Sequence, residues 1–257
     1  MIKVCSLASG SKGNCTYIES DNVKLLIDAG LTLYEIEKRL HAIDVNPFDI
    51  NYVLSTHNHI DHIKSIDSFC RRYKSRAVVH KSGSECLQRY CYNTDIIEFD
   101  EQLQLLDLQI ENIALMHDSE YCSGFKISND NKSLAIMTDL GQSPQDIENY
   151  LKDIDMLMVE SNHDVTMLKN GRYPIFLKNR ILSQNGHLSN EQAAQLIMTA
   201  VLNKVRHVML MHLSEENNLP ELAFSVAVSK LNELHLSEKD VKISVAMQHN
   251  ISKSIIV

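Results

Sequence analysis

The stretch "STHNHIDHI", residues 55–63, sets His57, His59, Asp61 and His62 within six positions. The apolar run Tyr52, Val53, Leu54 leads into it, and apolar residues at helical spacing (Ile63, Ile66, Phe69, Cys70) follow. A surface loop has no reason to gather so many ligand side chains, and burying them unpaired in a core is costly. In an extended segment, residues two apart project to one side, so His57 and His59 can reach one ion together. Asp61 and His62 come after the chain turns and can reach a second ion nearby. Neutral imidazoles combined with carboxylates suit zinc, manganese or iron, and ligand type does not choose among the three.

Composition bounds what the rest can be. The 257 residues fit one large domain or two small ones, with ample length for a core. No apolar run approaches the length of a membrane span, and "MIKVCSLASG" lacks the apolar region of a secretory signal. The six cysteines, Cys5, Cys15, Cys70, Cys86, Cys91 and Cys122, form no CxxC pair and sit in apolar patterns. Reduced core thiols in a cytoplasmic protein are therefore expected. A formal charge of −8 gives no overall basic footprint for nucleic acid.

Outward from the cluster the pattern alternates. Strands are expected at "KVCSLA", "CTYIE", "VKLLID", "NYVLS" and "RAVVH", with "SDN" as a turn and a helix over "LYEIEKRLHAI", Leu33, Ile36, Leu40 and Ile43 sharing a face. The centre is β-rich ("LQIENIALMH", "CSGFKIS", "SLAIMTD"), and alternation returns with strands "DMLMVE" and "RHVMLMH". Between these two, "SNEQAAQLIMTAVLNK" is a helix capped by Ser189 with Gln192 in capping-box position; Ala193, Leu196, Ile197, Ala200 and Val201 form its buried stripe. Two packed sheets with helices outside, an α/β class, account for this order.

Further candidate ligands end apolar strands: His117 ends "NIALMH", Asp139 "LAIMTD", Glu160 "LMVE" and His212 "VMLMH". Strand ends on one rim are where a scaffold presents chemistry. One set, His57, His59 and His117, can hold one metal; Asp61, His62 and His212 can hold the other; Asp139 bridges them. Two ions roughly 3.5–4 Å apart would share a bridging hydroxide nucleophile and clamp the attacked group. Taken singly, His117 and Asp139 are ordinary sheet-edge residues and Glu160 a solvated strand end; the ensemble is what raises them. A structural metal site is the bland account of residues 57–62. His163 reads either as a support residue or as an exposed loop residue, and His41, His80, His207, His235 and His249 as ordinary histidines. In "SGSKGN", residues 9–14, Ser9, Ser11 and Asn14 can face a phosphate, although a tight turn explains the stretch equally well. Asp28 can accept a hydrogen bond beneath the site or serve only a turn.

"STHNHIDH" resembles the HxHxDH motif of the metallo-β-lactamase superfamily, with His117, Asp139 and His212 in the order that completes it. The closer resemblance is to the WalJ (YycJ) family of nucleases. It is carried nearly end to end by "SLASGSKGNCTYIE", "LLIDAGLT", "MTDLG", "VESNHD", "RYPIFLKNRILSQNGHLSNEQAA" and "HLSEENN". The resemblance implies one metallo-β-lactamase-like domain over residues 1–257, a four-layer αββα sandwich, two divalent ions (zinc or manganese, or iron), and a nucleic-acid substrate, DNA by preference. It also favours the phosphate reading of Ser9, Ser11 and Asn14. No insertion of the β-CASP type is visible, which separates the chain from ribonuclease J. "GHLSNEQAA" is similar to the stretch of the ribonuclease Z endonucleases that supplies a catalytic histidine which is not a ligand. That likeness implies His187 as proton donor, Glu160 as its orienting partner and His212 as the ligand. Residue type alone leaves the two histidines interchangeable.

The acidic balance does not exclude a nuclease. Two divalent ions carry four positive charges against the ligand carboxylates Asp61 and Asp139, so the site is cationic locally. "CRRYKSR" and "LKNR" can add a basic rim. Weak attraction over the whole surface favours a strand end over a long groove. Three activities are compatible: an exonuclease acting from a 5′ end, a hydrolase of small phosphodiesters, and a thioester or lactone hydrolase. A His187–Glu160 pair favours phosphodiesters, because an alkoxide leaving group needs a proton more than a thiolate does.

Overall fold

The structure, a computed structural model, describes residues 1–257. The first half runs β1 (Lys3–Ala8), β2 (Cys15–Glu19), β3 (Lys24–Ile27), α1 (Leu33–His41), β4 (Tyr52–Ser55), α2 (Ile60–Ile63), α3 (Ile66–Tyr73), β5 (Arg76–His80), α4 (Ser84–Tyr90) and β6 (Ile96–Phe99). The second half runs β7 (Gln102–Leu105), β8 (Leu108–Ala114), β9 (Ser123–Ser128), β10 (Ser133–Met137), α5 (Ile147–Leu151), β11 (Met156–Glu160), α6 (Val165–Asn170), α7 (Ile175–Ile181), α8 (Asn190–Leu202), β12 (His207–Met211), α9 (Pro220–Glu233) and β13 (Lys242–Val245). A final β14 (Ile255–Ile256) returns to pair with β1. Each sheet has seven strands, ordered β14-β1-β2-β3-β4-β5-β6 and β13-β12-β11-β10-β9-β8-β7.

Strand side chains alternate between two buried faces, which is why the runs read as continuously apolar. In β11, Met156 and Met158 enter the core between the sheets, while Leu157 and Val159 face the helices. In β12, Met209 and Met211 point inward and Val208 and Leu210 outward. The first sheet does the same, with Leu54 in the central core and Val53 under α1 and α3. Helices α1, α3 and α4 cover one sheet, and α5, α8 and α9 the other. The result is the expected αββα sandwich. No helix is long and apolar enough to cross a membrane.

Local expectations fare well where the apolar pattern is long. Ser189 and Gln192 form a reciprocal capping box on α8, and its expected stripe is buried. The helix after the ligand cluster breaks at Lys64 and Ser65 into α2 and α3, yet Ile63, Ile66, Phe69 and Cys70 are all buried. On α1, Ile36 and Leu40 are buried, whereas Ile43 lies beyond the last turn. Three strand ends differ from expectation. Strand β8 stops at Ala114, β10 at Met137 and β12 at Met211, so His117, Asp139 and His212 stand on the loops beyond rather than on the last ladder residue. Asp139 cannot extend β10, because its φ of 61° is left-handed. The "CRRYKSR" stretch is corrected too. Its Arg76 pairs with Tyr52 at the start of parallel strands, the end opposite the ligand cluster, because α3 runs back along the sheet before β5 begins. Its arginines are also paired with acids: Arg71 with Asp67, Arg72 with Glu37 and Arg76 with Asp95.

Candidate metal centre and active site

Parallel strands β3, β4, β10, β11 and β12 point their carboxyl ends at one rim, the place where an α/β sheet gathers its chemistry. Asp28 follows β3, His57 follows β4, Asp139 follows β10, Glu160 ends β11 and His212 follows β12. A bridge between His57 and Cys122 ties the rims of the two sheets together. Asp28, Asp139 and His212 all have left-handed φ, 62°, 61° and 54°. For residues other than glycine that conformation persists only where surroundings impose it, and here it turns each side chain off its strand into the centre.

The donor atoms converge as four groups, linked through His57, His62, His212 and Asp139. His57, His59 and His117 lie within reach of one ion; Asp61, His62 and His212 lie within reach of another. Asp139 joins His57 and His62 in one group and His187, His212 and Glu160 in a further one. Its Oδ2 is 3.3 Å from His62 Nε2, and its Oδ1 is 3.8 Å from His117 Nε2.

Hydrogen bonds fix how the histidines present themselves. The Thr56 hydroxyl donates its one proton to Asp28 (2.8 Å), so it accepts from His57 Nδ1 at 3.0 Å. His62 Nδ1 donates to Asp28 at 2.7 Å, and His117 Nδ1 donates to the Gly186 carbonyl at 3.1 Å. His212 Nδ1 donates to Glu160 at 3.0 Å. All four rings therefore carry the proton on Nδ1 and turn Nε2 inward, the arrangement a metal ligand needs. His57 Nε2, His212 Nε2 and Asp139 Oδ2 are buried and have no hydrogen-bond partner. His62 Nε2 accepts from the Asn14 amide at 2.9 Å, and that amide keeps the Gly10 carbonyl as its other acceptor. Buried, unpartnered lone pairs on imidazole and carboxylate fit divalent cations by donor chemistry. The cluster is a divalent-metal-binding centre.

Charge at the centre follows from the same packing. Burial disfavours charge on His62, but Asp139 and Asp28 outweigh it and push the ring up to about 9. Burial likewise opposes charge on His212, and Asp139, Asp61 and Glu160 raise it well above the usual histidine range. Burial with neighbouring histidines holds His57 low, and burial alone is the main cause for His117. For Asp61 and Glu160 burial works upward and the surrounding histidines prevail, keeping both carboxylates low. The carboxylates thus hold protons on the histidines that cations would displace.

His187 sits differently. Its Nδ1 is 2.6 Å from Glu160 Oε1, and its side chain is 19% exposed against 4% for His212. Glu160 Oε1 thus serves both histidines, while Oε2 accepts from the Leu140 and Leu188 amides at 3.1 and 3.2 Å. That carboxylate holds four groups of the second sheet in register, a double role that strand-end reading did not reveal.

Of the residues read as phosphate partners, Ser9 and Asn14 are buried and committed within the protein. Ser9 Oγ accepts from the His212 amide at 2.8 Å, and Asn14 Oδ1 accepts from the Gly10 amide at 2.9 Å. Only Ser11 is exposed. Gly30 is required beside them, since a Cβ there would lie 1.5 Å from the Asp61 carbonyl. Asp118 was not singled out by sequence. Its Oδ1 is 3.2 Å from His117 Nε2 and 3.7 Å from His59 Nε2, and its Oδ2 bonds Arg180. It follows His117 directly, so attention to the loop beyond β8 would have found it. His163 is buried with neither ring nitrogen partnered. His41, His80, His207, His235 and His249 lie outside every donor group.

Comparison with known proteins agrees with this geometry. Residues 24–213 match the Beta-lactamase superfamily domain. The exodeoxyribonuclease WalJ of Streptococcus pneumoniae serotype 2 (strain D39) is 34% identical over 241 residues, which cover 91% of this chain and 90% of that protein. The exodeoxyribonuclease YycJ of Bacillus anthracis is 35% identical over 222 residues, 84% of each. In fold, the metallo-β-lactamase fold protein YhfI of Bacillus subtilis superposes with a TM-score of 0.73 at 15% identity, over 98% of both chains. With its motif, its sandwich and its relatives in agreement, this chain belongs to the β-lactamase superfamily and, within it, to the WalJ/YycJ family.

Proposed function

We propose that this protein is a two-metal phosphodiesterase that degrades nucleic acid, DNA by preference, as an exonuclease from a 5′ end. One observation carries the reading: Asp139 groups with His57 and His62, one member of each of two three-residue donor groups, and a carboxylate-held histidine stands beside them. Relatives named exodeoxyribonucleases, aligned over most of the chain, support the substrate class. Both sheets supply donors, which supports residues 1–257 acting as one catalytic domain. Six buried, unpaired cysteines support a reducing compartment, the cytoplasm.

His57, His59 and His117 would hold one divalent cation and Asp61, His62 and His212 the other, with the Asp139 carboxylate within reach of donors from both sets. Such ions, zinc, manganese or iron, supply Lewis acidity at the scissile phosphate and a nucleophile from water at neutral pH. Glu160 fixes the His187 ring through Nδ1, and Nε2 of that ring carries the proton passed to the leaving oxygen. Burial opposes charge on His187, but the Glu160 carboxylate prevails and raises it, so the ring keeps a proton to give. The greater exposure of His187 supports its role as donor, and the inward, unpartnered Nε2 of His212 supports that residue as ligand.

The test is purified protein with added Mn²⁺ or Zn²⁺ on end-labelled DNA and RNA, each with and without a 5′-phosphate. Bis(p-nitrophenyl) phosphate, a thioester and a lactone are assayed alongside. Stepwise release of nucleotides from 5′ ends is expected. Robust thioester or lactone turnover with no phosphodiesterase activity under any divalent metal would overturn the reading.

A further inference from the structure

The segment between the second sheet's support residues and His187 carries a feature the metal centre does not use. No carboxylate occurs between Asp164 and Glu191, yet Lys169, Arg172, Lys178 and Arg180 all fall there. In a chain of net charge −8, this is a local reversal of sign. The same stretch exposes two large apolar side chains on α7, Ile175 at 72% and Phe176 at 71%. An exposed aromatic among cations is costly to leave bare and is the composition of a surface that binds single-stranded nucleic acid.

Position strengthens the point. Phe176 and Arg180 are four residues apart on one helix and so share a face. Arg180 bonds Asp118, whose other oxygen is 3.2 Å from His117 Nε2, so this face meets the mouth of the metal centre. The opposite side of the helix is anchored: Ile181 is buried, and its carbonyl accepts from the His187 amide at 3.0 Å. Lys178 Nζ donates to the Lys169 carbonyl at 2.8 Å, joining α7 to α6. Gly186, where a Cβ would lie 2.2 Å from the Ile181 carbonyl, lets the loop close tightly under the helix end. The platform is thus held rigidly between the proton donor and the first donor group.

We infer that α7 is a stacking platform for the unpaired end of the nucleic-acid substrate. On it Phe176 stacks against a base and the exposed Arg172 takes a neighbouring phosphate, while Arg180, paired with Asp118, fixes the helix at the mouth of the site. The inference rests on the proposed nuclease reading and adds to it a preference for a strand end whose bases are free to leave the duplex. An acidic second copy would also meet these cations; the exposed aromatic among them and its place at the mouth of the metal centre select a strand that offers both bases and phosphates.

The protein contains no tryptophan, so Phe176→Trp places a single indole on this face. Tyr92→Trp, at an 81% exposed position near the far rim, serves as control. A 5′-phosphorylated, phosphorothioate-linked single-stranded oligonucleotide is titrated into each, and then an abasic strand of equal length. Quenching at residue 176 but not at 92, and by the strand with bases only, is expected. Phe176→Leu should weaken binding of the base-bearing strand about 5- to 140-fold, the equivalent of ~1–3 kcal/mol per stacked base, and leave the abasic strand's affinity in place. An oligonucleotide that binds and is cut while the indole stays silent overturns the platform and leaves the nuclease reading standing. A dimer that Phe176→Leu dissociates, with oligonucleotide affinity unchanged, overturns it in favour of self-association. If wild type neither binds nor cleaves any oligonucleotide, both readings fall together.

Discussion

The two sheets feed the centre in opposite ways. The first delivers His57, His59, Asp61 and His62 from one short segment after β4, supported from below by Asp28. The second delivers His117, Asp139, His187 and His212 from four separate loops and steadies two of them with the single carboxylate of Glu160. A local cluster tolerates small shifts between elements, because its donors move together. A distributed set depends on every strand keeping its register, and buried cross-links such as Glu160 maintain it. Perturbations should therefore be sharpest where the two contributions meet.

They meet at Asp139, whose carboxylate lies within reach of donors from both sheets. Asp139→Ala should remove about one metal equivalent and nearly all activity, by the shared-ligand logic of two-metal sites. Elemental analysis showing two ions retained, with normal turnover, would break the comparison at its centre.

Within the second sheet, His187 and His212 share Glu160 Oε1 yet are assigned different work. His187→Ala should lose roughly 10²–10⁴-fold in rate with metal content intact, as for a lost general acid. His212→Ala should lose both rate and metal. The loss at His187 should shrink for bis(p-nitrophenyl) phosphate, whose leaving group needs no proton. Metal lost from His187→Ala but kept by His212→Ala would reverse the assignment. Glu160→Gln sharpens this further. Because one oxygen holds both rings, it should reduce metal content as well as rate, where a partner of His187 alone would reduce only rate.

Legibility in sequence follows the same division. The 57–62 cluster could be read outright, because its spacing alone places donors on one side of a strand and then on a turn. The second sheet's donors are readable only as a repeated habit of polar residues closing apolar runs, and that habit misplaces three strand ends. His117, Asp139 and His212 lie past the ladder because left-handed or irregular backbone, invisible in composition, carries them inward. Strands β6, β7, β13 and β14 were not anticipated. They are short and incompletely buried, as outer strands of a sheet are, and give no clean alternation. Asp118 is legible only as the neighbour of His117; its contacts with His59 and Arg180 are distant in sequence and leave no local pattern.

Support beneath the first sheet's cluster should matter less than the ligands above it. Asp28 accepts from His62 Nδ1 and from both the amide and the hydroxyl of Thr56. Asp28→Asn keeps the shape and removes the charge that fixes the His62 tautomer. Metal affinity should fall roughly 10–100-fold, the usual effect of losing a ligand's hydrogen-bond partner. An unchanged affinity in a competitive chelator titration would show that the cluster organises itself without its base.

The smallest effects belong to the loop at residues 9–14, where the two sheets' contributions touch through backbone. Ser9 Oγ accepts from the amide of His212, a second-sheet donor, while Asn14 braces the first sheet by donating its backbone amide to the Asp61 carbonyl at 2.8 Å. Ser9→Ala leaves a buried N–H without a partner, at a cost of about 1–3 kcal/mol. It should lower the midpoint of thermal unfolding and, by loosening His212, reduce metal retention modestly. Ser11, exposed at the same turn, makes no such bond, so Ser11→Ala should change stability by less than about 0.5 kcal/mol. Any effect it has should appear in KM for oligonucleotides, since a hydroxyl at the rim can meet a phosphate but supports nothing beneath it. If Ser11→Ala destabilises the fold while Ser9→Ala leaves both stability and metal content unchanged, the loop holds the sheets together by its exposed turn rather than by its buried serine.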